Sequence, residues 1–179
     1  TRPLHGADIA ILCRTNDQCE RVATSLAEVG LRVSIGRPGL LATPESVMAV
    51  AALRYLVDHN DTLAIAEIAH LTSVGEGQPD WLELSLAPDG IDDLKSNLAP
   101  LIALDEARSK LAYLTPREAL EIAVAVAGVS DQAKRWGSAG ERVANLDALR
   151  GLAANYEDDC RTNRSAATTG GLVTWLTKV

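Results

Sequence analysis

Residues 7–36 read ADIAILCRTNDQCERVATSLAEVGLRVSIG, and this stretch decides our prediction of the fold. The apolar run at residues 9–13 has the length and composition of a buried parallel strand. Thr15 opens the sequence T-N-D-Q, a capping-box pattern that places the start of a helix here. Gly30 stands where a helix ends, and the β-branched content of residues 31–35 predicts a second strand. The stretch therefore predicts a strand, a helix and a second strand.

The rest of the chain has the sequence pattern of helices. Thr43, which precedes a proline, supplies an N-cap, Asp61 can cap the next helix, and Thr115 opens another capping box. Residues 72–93 are rich in Gly, Pro and Asp, which predicts an irregular connection with one turn near Trp81.

The predicted fold class is α/β plus mostly α, in two parts. We expect residues 1–42 to form a short parallel-sheet β-α-β unit and residues 43–179 to form an α-helical, bundle-like subdomain. A chain of 179 residues with 47% hydrophobic residues can build a folded core. Because the first residue is Thr1, we expect a piece of a longer protein.

Charge and cysteine content narrow the class of protein. The net charge is -7, and the acidic excess falls within residues 61–120. A free-standing nucleic-acid-binding domain usually has a basic face, so any DNA contact must be local. Three cysteines without paired spacing, and no long apolar run, predict a cytoplasmic protein with reduced thiols and no membrane contact. We expect Cys13 to be buried and inert in the first strand, and Cys19 to be more exposed.

The sequence carries no motif for catalysis or for cofactor binding. It has no G-x-x-x-x-G-K-[ST] loop for nucleotide phosphates, and its three histidines share no metal-ligand spacing. We therefore predict no catalytic residue, no metal site and no cofactor in this chain, and no ATP hydrolysis by the chain alone.

A family resemblance adds a function to this outline. The sequence R-T-N-D-Q at residues 14–18, followed by a helix, resembles the superfamily 1 DNA helicases of the UvrD/Rep/PcrA type. The wider sequence LLATPESVMAVAALRYLVDHNDTLAIAEIAHL at residues 40–71 most resembles the RecB/AddA branch, the exonuclease V beta subunits. The resemblance implies that residues 1–42 belong to the second RecA-like motor domain and that residues 43–179 are a helical subdomain inserted within it.

The same resemblance implies a set of DNA contacts. In the family, the residues matching Arg14 and Asn16 lie along the single-stranded DNA, where an arginine offers a forked donor to phosphate. The family commonly carries a second arginine where this chain has Glu20, and Arg21 is the nearest replacement. The predicted DNA-binding residues are therefore Arg14, Thr15, Asn16 and Arg21.

For the parent protein, the resemblance implies an ATP-dependent DNA helicase/exonuclease that acts in double-strand-break repair, with ATP and Mg bound outside this chain. Its partners would be single-stranded DNA, the remaining helicase domains and a partner subunit of a helicase–nuclease complex. One alternative is a helical protein–protein interaction module that docks through the acidic region at residues 61–120. Another is a small regulatory α/β domain that binds a phosphate-bearing ligand at residues 15–18, which would require a full parallel sheet.

Overall fold

A computed structural model describes residues 9–31, 39–72 and 81–178. The chain divides into two compact units, Thr1–Gly39 and Leu40–Val179. Every regular element in the described residues is helical, and no strand occurs among them. The predicted α/β class, with its parallel β-α-β unit, is therefore wrong, and the described chain has an all-α fold.

The predicted first strand at residues 9–13 has no regular secondary structure. A strand is stable only where its backbone groups pair with a neighbouring strand, and no described segment offers that pairing. The side chains of Ile9, Ile11 and Leu12 are exposed instead, and Leu12 is 96% exposed. The second predicted strand, at residues 31–35, lies outside the described residues except for Leu31, which belongs to no strand.

The predicted helix between these segments is confirmed as α1, Asn16–Glu28. At its start, the Thr15 hydroxyl oxygen accepts a hydrogen bond of 3.3 Å from the Gln18 backbone N–H. At its end, Gly30 has a φ of 81°, and the Leu31 N–H donates to the Leu26 carbonyl at 3.0 Å. This is the Schellman arrangement that ends many helices.

The described part of the second unit contains nine α-helices and two short 3-10 helices. The α-helices are α2 Pro44–Val57, α3 Thr62–Thr72, α4 Trp81–Leu86, α5 Gly90–Asn97, α6 Ala99–Ala107, α7 Pro116–Val126, α8 Val129–Arg135, α9 Ala139–Thr162 and α10 Thr169–Leu176. The 3-10 helices are Leu40–Ala42 and Arg108–Tyr113.

Two predicted helix caps are confirmed in atomic detail. The Thr115 hydroxyl accepts from the Glu118 N–H at 3.2 Å, while the Glu118 carboxylate accepts from the Thr115 N–H at 2.8 Å. A carboxylate oxygen of Asp61 accepts from the Ala64 N–H at 2.9 Å and so caps α3. Thr43 does precede α2, but its side chain makes no capping hydrogen bond.

Within residues 72–93, the predicted turn near Trp81 is confirmed as α4, but the prediction of irregular structure is wrong at residues 90–93, where α5 begins. Gly90 begins α5 in close contact with α4. A Cβ atom at Gly90 would lie 1.6 Å from the carbonyl oxygen of Leu84. The glycine that suggested a loop is therefore needed for close packing between two helices.

The core of the second unit is organised around α2. This helix contacts α3, α6, α7, α8, α9 and α10. Its buried residues cover more than half of the helix circumference, and the remaining strip of Val47, Val50, Arg54 and Val57 is partly buried or exposed. The buried residues are Glu45, Ser46, Met48, Ala49, Ala51, Ala52, Leu53, Tyr55 and Leu56.

A buried ion pair joins the start of α2 to α9. The Glu45 carboxylate, whose side chain is 1% exposed, accepts hydrogen bonds of 2.6 Å from both Arg142 and Asn145. The Arg142 guanidinium carbon also lies 5.5 Å from the centre of the Trp136 ring. Burial alone would raise the pKa of Glu45, but the hydrogen bonds and the positive charge of Arg142 lower it below its usual value.

Candidate nucleic-acid contact before the first helix

The five residues that precede and open α1 form a compact turn, which we call the capping turn (residues 14–18). Gln18 holds the turn through both its side chain and its backbone. Its side-chain oxygen accepts from the Arg14 N–H at 3.2 Å, and its backbone N–H donates to the Thr15 hydroxyl. Arg14, Thr15 and Gln18 are all exposed. The Arg14 side chain therefore lies in solvent beside the first turn of α1.

The start of α1 has the electrostatic character that suits an anion. The first backbone N–H groups of a helix have no partner within the helix, and the aligned peptide dipoles give this end a partial positive charge. Arg14 adds a full positive charge just before it. Such an arrangement can hold a phosphate through a forked guanidinium and backbone donors, without reading a base.

The predicted contact residues are not all in one place. Arg14, Thr15 and Asn16 are consecutive, and Asn16 is the first residue of α1; its side chain lies outside the described part of the structure. Arg21 is exposed on the following turn. Arg21 is five positions further along α1 than Asn16, which is more than one helical turn. A DNA contact through Arg21 stays a prediction.

The capping turn has one cysteine just before it and another just after it. Cys13 and Cys19 flank the turn and are both partly buried. A hydrogen bond with the Cys19 thiol, followed by burial, raises the pKa of the Cys13 thiol. The expectation that Cys13 is buried within a strand is wrong. The signal that could have revealed the pair is its spacing, because one cysteine lies just before the capping turn and the other just after it.

Among the cavities formed by the described residues of the second unit, two shallow ones each lie beside a basic side chain that already has a partner. A cavity of about 190 Å³ lies beside Arg54, whose guanidinium donates to Asp61 at 2.6 Å and to Glu67 at 3.1 Å. A cavity of about 310 Å³ lies beside Lys95, whose ammonium donates to Asn60 at 3.2 Å. No group of three or more potential metal ligands occurs among the residues that the structure describes.

Comparisons with protein-family models, with curated proteins and with solved structures give no match to this chain. Within the described ranges, none of the helices combines the length and the apolar character needed to cross a membrane. The candidate site therefore depends on its own residues and on the sequence resemblance.

Proposed function

We propose that this chain is a segment of a superfamily 1 DNA helicase of the UvrD/RecB type, in which the capping turn contacts the phosphate backbone of single-stranded DNA. The observation that carries the proposal is the exposure of Arg14 and Thr15 immediately before the N-terminus of a 13-residue helix. The parent enzyme would unwind DNA in double-strand-break repair, with ATP and Mg bound by its other domains.

The proposed task of the capping turn is to hold the DNA strand without selecting its sequence. Arg14 would pair with one phosphate through two parallel N–H donors, and the first amides of α1 would donate to the same or the next phosphate. Because phosphates are identical along a strand, such contacts let a helicase grip any sequence. The predicted cytoplasmic location fits an enzyme of this kind.

The second unit would act as the helical subdomain of the parent enzyme. The helices around α2 bury most of its side chains, which gives the described part of this unit a core. Its acidic surface suits a regulatory or partner-facing role better than contact with DNA phosphates, which it would repel. Its partners would be the remaining helicase domains or a second subunit of a helicase–nuclease complex.

The test is a fluorescence anisotropy titration of labelled single-stranded oligothymidine over a series of salt concentrations. The variant is Arg14→Ala, and the matched control is Arg161→Ala. Arg161 is also exposed, with a side-chain exposure of 76%, so both substitutions remove one surface positive charge. A second variant, Arg14→Ala/Asn16→Ala, removes the other predicted side-chain contact.

We expect the Arg14 variant to bind more weakly and to have a shallower salt dependence. Loss of one phosphate contact to a single strand reduces the slope of log K against log salt by about 0.7. The Arg161 control should retain the slope of the unaltered chain. Equal losses in the two variants would show a general effect of charge and would contradict a specific contact at the capping turn.

A second candidate is a helical protein–protein interaction module without a DNA role. The all-α fold favours it, because no described element belongs to a motor-domain sheet. Its docking face would be the acidic region, where Asp92 and Asp93 are exposed on α5. The variant Asp92→Asn/Asp93→Asn should then weaken binding to the partner subunit or domain, as measured by isothermal calorimetry, while DNA binding is absent in every variant.

A further inference from the structure

We propose that the cavity of about 190 Å³ beside Arg54 binds a small amphiphilic amine, in which a hydrocarbon group packs against apolar side chains and an ammonium group pairs with Glu67. Neither the predicted helicase activity nor the family resemblance assigns a ligand to this cavity. The side chains that carry the argument all belong to the described part of the second unit.

The cavity has a mostly apolar lining. Its apolar side chains are Leu41, Val47, Val50 and Leu176, which come from the first 3-10 helix, α2 and α10. Val47, Val50 and Arg54 follow one another at intervals of three and four, so they lie on one face of α2. An apolar cavity of about 150 Å³ is large enough to bind benzene, so this cavity can accept a group of about six carbons.

The charged groups beside the cavity carry more negative than positive charge. Two N–H groups of Arg54 donate to the two carboxylate oxygens of Asp61, at 2.9 and 2.6 Å, in a forked pair. Glu67, which lines the cavity, receives one hydrogen bond of 3.1 Å from the same guanidinium. One positive charge therefore stands against two negative charges at this place.

Glu67 is the group that would receive the charge of the ligand. Its side chain is 30% exposed, so an ammonium ion can reach the carboxylate from solvent. Burial raises the pKa of Glu67, Arg54 lowers it and Asp61 also raises it, as expected for a carboxylate that has lost hydration and has only a shared counter-charge. A bound cation would supply the missing counter-charge, whereas an anionic ligand would be repelled.

The lining and the charge together define the class of ligand. A neutral hydrocarbon would bury apolar surface but would take further water from Glu67 without replacing its hydrogen bonds. A small cation without a hydrocarbon group would gain little from the apolar lining. An amine on a compact hydrocarbon satisfies both parts of the cavity, and it would contact α2, α3 and α10 at the same time.

The experiment follows the amide NMR spectrum of the isotope-labelled full chain at neutral pH during titrations with benzylamine, benzyl alcohol and benzoate. These probes share one aromatic ring and carry a positive charge, no charge and a negative charge, respectively. The comparison among them on the unaltered chain tests the proposal even where a variant fails to fold.

Two variants test the two parts of the cavity separately. Glu67→Gln removes the excess negative charge and retains an oxygen that can accept from Arg54. Val50→Phe places a larger side chain in the cavity. The matched control is Glu121→Gln, because Glu121 also accepts from an arginine, at 2.7 Å, but does not line the cavity.

We expect benzylamine to shift the amide signals of α2 and α10 around the cavity and to bind about fivefold more tightly than benzyl alcohol, as a solvent-accessible ion pair allows. Benzoate should bind more weakly than either. Glu67→Gln should lose the preference for the amine, Glu121→Gln should keep it, and Val50→Phe should bind neither benzylamine nor benzyl alcohol.

Several results would overturn the proposal. They are equal affinities for the three probes, no saturable shift with benzylamine, shifts confined to other parts of the chain, and a preference for the amine that Glu67→Gln retains. The titrations contain no DNA, so failure of the helicase proposal would leave this result unaffected.

Discussion

Replacing Arg142 by Met tests how far the second unit depends on the ion pair between α2 and α9. Methionine keeps an unbranched side chain of similar length but removes the guanidinium. The Glu45 carboxylate would remain buried and would lose one of its two hydrogen bonds of 2.6 Å, keeping only the one from Asn145. The substitution therefore leaves a buried charge without its counter-charge.

The expected loss of stability follows from that geometry. Removing one partner of a buried ion pair typically costs about 3–5 kcal/mol, because the remaining charge is left in a medium of low polarity. Here Asn145 still donates to the carboxylate, and the Arg142 side chain is 22% exposed in the native protein. We therefore expect a value at the lower end, about 3 kcal/mol.

Urea unfolding followed by circular dichroism measures this loss. With a denaturant slope of about 2 kcal/mol per molar, the unfolding midpoint should fall by about 1.5 M. The matched control is Arg161→Met, because Arg161 pairs with Asp158 at the surface, where both side chains are more than half exposed. Loss of a surface pair costs less than about 1 kcal/mol. Equal midpoints for the two variants would refute the reasoning.

The pH dependence gives an independent check on the same carboxylate. The pKa of Glu45 is lowered in the folded protein, so its contribution to stability is complete above the ordinary carboxyl pKa of about 4.3 and is lost as the pH falls through the lowered value. Without Arg142, burial should raise that pKa. The difference in unfolding free energy between the unaltered protein and Arg142→Met should therefore shrink as the pH falls below about 4.

Two further substitutions test the packing around α2 and between α4 and α5, both by urea unfolding. Gly90→Ala should destabilise the protein by about 2 kcal/mol or more, because the added Cβ would clash with the Leu84 carbonyl oxygen. The control is Gly151→Ala, which places its methyl group in open space and should stabilise the protein by up to about 1 kcal/mol. Tyr55→Phe should cost about 1.5 kcal/mol, because the Tyr55 hydroxyl donates to Asp105 at 2.8 Å. Burial and the neighbouring Asp105 raise the pKa of Tyr55. The greater stability of the unaltered protein over Tyr55→Phe should therefore be complete below about pH 10 and should decline above it, because the unfolded tyrosine then loses its proton first.

The features that sequence could predict are those decided by neighbouring residues. The capping box at Thr115 and the cap at Asp61 depend on side chains three or fewer positions from the backbone groups that they bind. The end of α1 at Gly30 likewise needs only a residue that adopts a positive φ. Because these interactions join residues that are close in the chain, the residue types alone were enough to predict them.

The features that sequence could not predict depend on distant partners. Residues 9–13 have strand-like composition, but a strand requires a neighbouring strand, and composition cannot show that one is present. Glu45 looked like an ordinary acidic residue in the first turn of a helix. Its partner Arg142 is 97 positions away in the chain, and nothing near Glu45 indicates it.

The candidate site was only partly predictable for the same reason. Arg14 and Thr15 follow from the motif itself, and the structure shows both in solvent. The partial exposure of Cys13 could not be predicted, because an assumed strand before the helix placed this residue in a core, whereas the structure has no strand there.

The central position of α2 has a consequence for how the protein is made. The ribosome completes α2 before any of the α-helices that cover it, and α7 to α10 are synthesised much later. Until α10 emerges, the apolar surface of α2 is open to water and to other nascent chains, a state in which aggregation competes with folding. The order of the helices along the chain therefore delays the completion of the core around α2 until the last helix has been synthesised.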